Sequence, residues 1–330
     1  MFFEYENKKE EKSFKEYPFN FTDPSCFLHR HLWNEIRANF TKDEIVDGLL
    51  DLLCESKIDL PLKEINSSKE LEKFKTIAYK NNAFFSRVWE NHLVKIEDLK
   101  YQGEYVFFSH LGNTGVGCSN LFMQKERLRA TRKDKPNLYE IWENIKEGKK
   151  DTWSKRIIKA ILSENERFAL DGNSFIRAGR ISGVVVTQFK PSVAKALYEF
   201  FGAKNVLDFS SGWGDRLVGY LASNSQSYIG IDPNSKLHEP YNKIHQFYAP
   251  DKQATFICSP AEEVDYSDLK YDFVFTSPPY FNLEIYTSED TQSIEKFDTL
   301  DLWLEGFLFK TLGKIYEGLD EGGRIAVNIA

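Results

Sequence analysis

From residue 191 onward, short apolar runs alternate with amphipathic stretches in a regular rhythm. Pro191 opens a helical pattern through Phe201, with Val193, Ala194, Leu197 and Phe200 apolar, and proline suits a first helical position because that N–H has no partner anyway. Five strands are predicted beyond it, at 205–209, 227–232, 254–258, 271–276 and 324–329. Before the fifth, Leu300, Leu304, Leu308 and Leu312 recur every four residues, with Trp303 and Phe307 beside them, as one long helix that ends at Gly322-Gly323. Several strands are apolar throughout, the pattern of a parallel sheet covered by helices on both faces.

The first hundred residues differ. Charged and apolar residues lie at helical spacing there, most clearly in an amphipathic helix expected over 43–53. Tyr105-Val106-Phe107-Phe108 reads as a strand, and His110 to Gly117 as a glycine-rich loop. The chain therefore divides into a mainly helical N-terminal domain (1–122), a connecting region (123–184) and an α/β domain (185–330).

Charge sharpens that division. The net charge is −7, but residues 123–190 hold 16 Lys and Arg against 9 Asp and Glu, while both flanks are acidic. Arg127, Arg129, Arg132, Lys133 and Lys135 form one cluster, and Lys149, Lys150, Lys155, Arg156 and Lys159 a second. Such a stretch is a candidate surface for a polyanion, with a solvated helix face as the plainer reading. The four cysteines form no CxxC pair, so neither a zinc site nor a disulfide framework is expected. No signal-like leader and no run of eighteen apolar residues occurs, which reads as a cytoplasmic protein without a membrane partner.

Chemistry concentrates at the ends of the predicted strands, where ligands of open α/β sheets bind. The first strand runs into Asp208-Phe209-Ser210-Ser211-Gly212-Trp213-Gly214, a turn that allows close backbone approach. Leu217 stands where a dinucleotide fingerprint needs its third glycine, so that reading fails. Asp232 ends the second strand, where a carboxylate can accept hydrogen bonds from two ribose hydroxyls. Pro260, Ala261 and Glu262 follow the third and could meet an adenine ring. Ser277-Pro278-Pro279-Tyr280 follows the fourth. A hydroxyl, a proline carbonyl on a stiff loop and an aromatic face suit the amino group of a base taken out of its stack.

In this order, 206–219, 228–233, 259–262 and 276–280 resemble the class I S-adenosylmethionine-dependent amino-methyltransferases of DNA, marked by [Asp/Asn/Ser]-Pro-Pro-[Tyr/Phe/Trp]. The segment Gln188 to Ser192 looks like the stretch that covers the methionine end of the cofactor in that family, and its place before the glycine turn resembles the gamma-type order. From about 105 onward the chain also resembles phage-borne methylase-like proteins. The resemblance implies a Rossmann-like sheet, with S-adenosylmethionine held by Phe189, Pro191, Ser192, Asp208, Ser210, Gly212, Gly214, Asp232, Pro260, Ala261 and Glu262. It further implies that Ser277 to Tyr280 hold the target base, with serine at 277 favouring cytosine N4 over adenine N6. The implied partner is DNA, or RNA, through Arg127, Arg129, Arg132, Lys133 and Lys135. The family sheet has seven strands, so the catalytic domain is expected to be incomplete beyond Ala330. Competing expectations are an RNA-base enzyme, a protein-amide enzyme (which would show asparagine at 277) and a non-catalytic nucleic-acid-binding module. A cytosine-C5 enzyme is disfavoured, because no cysteine follows a proline.

Overall fold

The computed structural model describes residues 12–19, 25–28, 30–62, 64–77, 87–88, 92–93, 114–163 and 169–329. The strand expected at 105–108 and the loop at 110–113 lie outside these residues. The chain forms two compact units that interleave in sequence, 1–64 with 134–186 and 65–133 with 187–330. The stretch 123–184 is thereby divided at Lys133. Among the described residues no helix is long and apolar enough to cross a membrane.

The first unit is helical. Its helix Lys42–Ser56 begins with a capping box between Thr41 and Glu44 and buries Ile45, Val46, Leu49, Leu50 and Leu53. Two further helices, Leu138–Lys146 and Thr152–Ser163, bury Ile141, Trp142 and Ile145, and Ile157, Ile158 and Ile161. The 3.6-residue apolar stripe visible in the sequence thus becomes the core face of each helix.

The second unit is a five-stranded parallel sheet with helices. Its strands are β1 (Asn205–Asp208), β2 (Ser227–Ile231), β3 (Gln253–Ile257), β4 (Phe273–Thr276) and β5 (Arg324–Val327), in the spatial order β5-β4-β1-β2-β3. Every neighbouring pair is parallel. This is the doubly wound, Rossmann-like order, and the direction of winding reverses between β1 and β4. Helices α1 (Val116–Arg127), α2 (Pro191–Phe200), α3 (Asp215–Leu221), α4 (His238–Tyr248) and α5 (Lys310–Gly318) belong to the same unit. One apolar cluster joins Leu207, Phe209, Ile231 and Val274 of the sheet region to Trp303, Phe307, Leu308 and Ile315.

Two predicted elements differ. Val116 and Gly117 open helix α1 rather than closing a loop. The single helix expected from Leu300 is broken in winding: Leu300–Trp303 is α-helical, Leu304–Phe309 forms a π-helix, and α5 resumes the α-helix. Side-chain periodicity alone does not distinguish a 3.6-residue turn from a locally wider one.

Candidate functional site

The turn after β1 is built on buried charge. Asp208 is fully buried at the strand end. Its Oδ2 accepts from Arg216 Nε and from Tyr228 Oη, both at 2.8 Å, and its Oδ1 accepts from Thr276 Oγ1 at 2.9 Å. One carboxylate therefore ties β1 to β2, β4 and helix α3. Burial alone would disfavour the Arg216 charge, and the Asp208 carboxylate opposes this and raises the guanidinium pKa. Sequence reasoning assigned Asp208 to the cofactor, but the cleft described below is not lined by it; all its oxygens serve the protein.

Above this strut, Gly212 and Gly214 adopt left-handed backbone angles, φ +54° and +74°, which side-chain-bearing residues rarely take. A Cβ at Gly214 would lie 2.9 Å from the Ile244 Cδ1 atom. The Gly212 N–H donates to Asp232 Oδ2 at 2.8 Å, while the Asn234 N–H donates to Oδ1 at 3.0 Å. Burial pushes the Asp232 carboxyl up to about 6, and the amides of Asn234 and Gly212 partly offset that rise.

A cleft of about 1080 Å³, counting its mouth open to solvent, lies at this edge of the sheet, within the second unit. Its wall includes Phe189, Ser210, Gly212, Asp232, Pro260, Ala261 and Glu262 from the predicted cofactor set. Pro191 and Ser192 are instead buried in the first turn of α2, and Gly214 shapes the loop without lining the cleft. Ser277, Pro279 and Tyr280 stand on the same wall, while Pro278 is buried beside them. The loop after β1, the end of β2 and the loop after β4 thus converge on one cavity, as the winding reversal dictates.

The wall also holds Gln188, which opens the Gln188 to Ser192 segment, and residues to which sequence reasoning gave no role: Trp213, Asp215, Glu284, Tyr286, Gln292 and Asn328. Asp215, the first residue of α3, accepts from Ser119 Oγ at 2.5 Å and from Gln188 Nε2 at 3.0 Å. Burial pushes its carboxyl up to about 6. Gln188 in turn accepts from Asn120 Nδ2 at 2.9 Å, and Asn120 Oδ1 accepts from Arg127 Nη2 at 3.1 Å. The Gln292 Nε2 atom is buried without a partner among the described residues. Asn328, placed by its N–H bond to the Thr276 carbonyl at 2.9 Å, donates to Ser277 Oγ at 3.0 Å and Tyr280 Oη at 3.2 Å. Only the position of Asp215 at the start of the helix after the glycine turn, and of Asn328 just past a strand, hinted at these roles.

The basic residues are divided between the two units. Arg127 is 1% exposed and is taken up inside the second unit, so it presents no cation to a polyanion. Arg129 pairs with Glu126 at 2.8 Å, Arg132 lies 3.9 Å from Glu284 with about a third of its side chain exposed, and Lys133 is exposed. Lys135 belongs to the other unit and donates to the Gly183 carbonyl at 3.2 Å. In that unit, Lys150, Lys155 and Lys159 pair with Asp51, Asp47 and Asp43 at 2.7–2.9 Å. The second basic cluster is therefore locally compensated.

No protein-family model matches this chain, and no curated protein matches it. Solved structures similar to it include TrmN from Thermus thermophilus, at 17% identity over 43% of this chain and 38% of that one, with a TM-score of 0.33. A methyltransferase of Podospora anserina, PaMTH1, solved with SAH, shares 13% over 43% of this chain and 53% of its own, with a TM-score of 0.30. A SAM-dependent methyltransferase from Agrobacterium tumefaciens shares 15% over 44% and 46%, with a TM-score of 0.31. The matches thus span about half or less of these structures' own lengths.

Proposed function

We propose that this chain transfers a methyl group from S-adenosylmethionine to the exocyclic amino group of a nucleic-acid base, in DNA and with cytosine N4 ahead of adenine N6. The observation that carries the reading is the shared cleft: the Gly212–Asp232 corner and the Ser277–Tyr280 loop line one cavity. A cofactor and a target in its two halves would meet without a large movement.

The residues present fit the cofactor. The left-handed Gly212 turn leaves backbone open to it, and Asp232, held by two amides, keeps lone pairs for ribose hydroxyls. The Gln292 amide is a buried donor in the same wall that lacks a protein acceptor among the described residues, and a buried donor without an acceptor is costly unless a ligand supplies one. When bound, S-adenosylmethionine supplies an electrophilic methyl group on a sulfonium.

On the other side, Tyr280 offers its ring face to a flipped base, and its hydroxyl, held by Ser277 and Asn328, fixes that ring. On this reading the backbone carbonyl of Pro278, whose ring is buried, would accept an amine N–H on a loop stiffened by two prolines. No covalent enzyme intermediate is required, because the amine itself is the nucleophile.

The test is methyl transfer from tritiated S-adenosylmethionine to mixed-sequence DNA, to RNA and to protein, with the product identified by mass spectrometry. N4-methylcytosine in DNA is the expected product. N6-methyladenine overturns the choice of base, and label found only in RNA or protein overturns the choice of DNA.

A further inference from the structure

The Ser277 hydroxyl is already committed. A serine oxygen has one proton to give and two lone pairs. Asn328 Nδ2 donates to it at 3.0 Å, Tyr280 Oη lies 3.0 Å away, and its own proton is aimed at the Asn328 carbonyl at 3.3 Å. With its proton on the Asn328 carbonyl and the tyrosine donating, these three contacts use its capacity and leave no acceptor for an incoming amine. Its role is to hold the loop.

A stronger acceptor stands on the same wall. The Leu283 N–H donates to the Tyr280 carbonyl at 3.0 Å, and this turn leads into the strand Glu284–Ile285, antiparallel to Thr131–Arg132. Glu284 follows directly, lines the cleft and is 5% exposed. Its Oε2 accepts from Tyr286 Oη at 3.0 Å, whereas Arg132 Nε is 3.9 Å from Oε1, the outer limit of an ion pair. Asp232 and Glu262 face the proposed cofactor half and have partners there, two backbone amides and Lys296 respectively. Asp215 starts helix α3 on the Gln188 network. The carboxylate that follows the Ser277–Tyr280 loop in the chain is Glu284.

We propose that Glu284, rather than Ser277, is the side-chain acceptor for the target amine. This rests on the base-amine reading above. A carboxylate drawing on an amine N–H favours the pyramidal nitrogen and stabilises the positive charge that grows on it as the N–CH3 bond forms and the sulfonium S–CH3 bond breaks, the thioether leaving with the electron pair and the amine proton passing to solvent. This stabilisation is worth most in a site shielded from water. Burial raises the Glu284 pKa from the ordinary glutamate value, against the Tyr286 hydroxyl, Arg132 and the Thr187 amide, which favour the ionised form. The acceptor therefore weakens at low pH. A purely structural Glu284, anchoring the strand pair through Arg132, would show no such dependence in the chemical step.

The experiment is single-turnover methyl transfer to DNA or RNA across pH 5 to 9 with wild type, Glu284→Ala, Glu284→Gln and Ser277→Ala, alongside thermal melting and calorimetric cofactor affinity. Glu284→Ala should lower the rate constant about 100-fold, in line with removal of a group that acts on transition-state charge, with cofactor affinity unchanged. Glu284→Gln keeps a carbonyl acceptor, so it should lose less and should abolish the acid limb of the pH profile. Ser277→Ala should cost less than Glu284→Ala. Should Glu284→Ala fail to fold, the acid limb in the glutamine variant still decides. A folded Glu284→Ala with near-wild-type rate, or a Glu284→Gln that retains the acid limb, overturns the proposal alone. A wild type that methylates no base in DNA or RNA overturns the base-amine reading, and this inference with it.

Discussion

Asp232 accepts a hydrogen bond from the backbone amide of Gly212 at 2.8 Å, which joins the loop after β1 to the end of β2. The same carboxylate is raised to about 6 by burial. Its acceptor form is thus complete only above that pH, and ribose hydroxyls need acceptors. Asp232→Ala should weaken S-adenosylmethionine binding by roughly 1–3 kcal/mol, the range for charge-assisted hydrogen bonds. Wild-type affinity should decline as pH falls through about 6, and Asp232→Asn should flatten that decline. Calorimetry from pH 5 to 8 checks both, and unchanged affinity in a folded Asp232→Ala removes the residue from the site.

Asp208 and Arg216 carry a different expectation, because both are buried, they pair at 2.8 Å, and Arg216 also lines the cleft. Removing the cation leaves a fully buried carboxylate with only hydroxyl and amide donors. Arg216→Met should cost about 3–5 kcal/mol of stability, the usual penalty for breaking such a pair. Urea denaturation measures it. A loss below about 1 kcal/mol would show that Asp208 does not depend on this partner.

What the sequence made legible follows from range. The five strands were readable because each is a short apolar run between turn residues, whereas their order in space is set by long-range pairing. Gly212, Asp232 and Tyr280 could be placed at one cleft because strand ends converge in such sheets. Asp208 was placed one layer too high: the same strand-end position serves a ligand or a strut, and only its partners Arg216, Tyr228 and Thr276 decide. The basic clusters misled for a similar reason. Asp43, Asp47 and Asp51 form one i, i+4 stripe that meets Lys159, Lys155 and Lys150 from about a hundred residues away, a pairing that local charge counting does not see. Arg127 likewise lies buried because its partner chain runs through Asn120 to Gln188.

Salt dependence separates the remaining basic residues from these. If Arg129, Arg132 and Lys133 contact phosphates, neutralising all three should flatten the salt dependence of duplex DNA binding by about 0.9 per lost contact. Arg127→Ala should leave that slope alone and lower thermal stability, because it strips a donor from Asn120. Fluorescence anisotropy over a salt series gives the slopes. An unaltered slope in the triple variant assigns the cluster to a solvated face.

Tyr280 tests the target half of the cleft. Its ring lines the cavity, while its hydroxyl sits 3.0 Å from Ser277 Oγ and 3.2 Å from Asn328 Nδ2. Ring and hydroxyl therefore have separate roles, stacking and aim. Tyr280→Ala should lose stacking worth on the order of 1–3 kcal/mol per base, read as weaker productive binding of nucleic acid, with S-adenosylmethionine affinity unchanged. Tyr280→Phe keeps the face and gives up the anchor, so it should cost about 0.5–1.5 kcal/mol, the net worth of an ordinary hydrogen bond. Asn328→Ala, which removes the same anchor from its other end, should lose a comparable amount. Combining Tyr280→Phe with Asn328→Ala should lose little more than either change alone. Methyl-transfer kinetics under subsaturating nucleic acid measure all four proteins. A fully active Tyr280→Ala would end the base-stacking reading of this loop. Fully additive losses in the double variant would show that Asn328 acts on the cleft by some route other than the tyrosine hydroxyl.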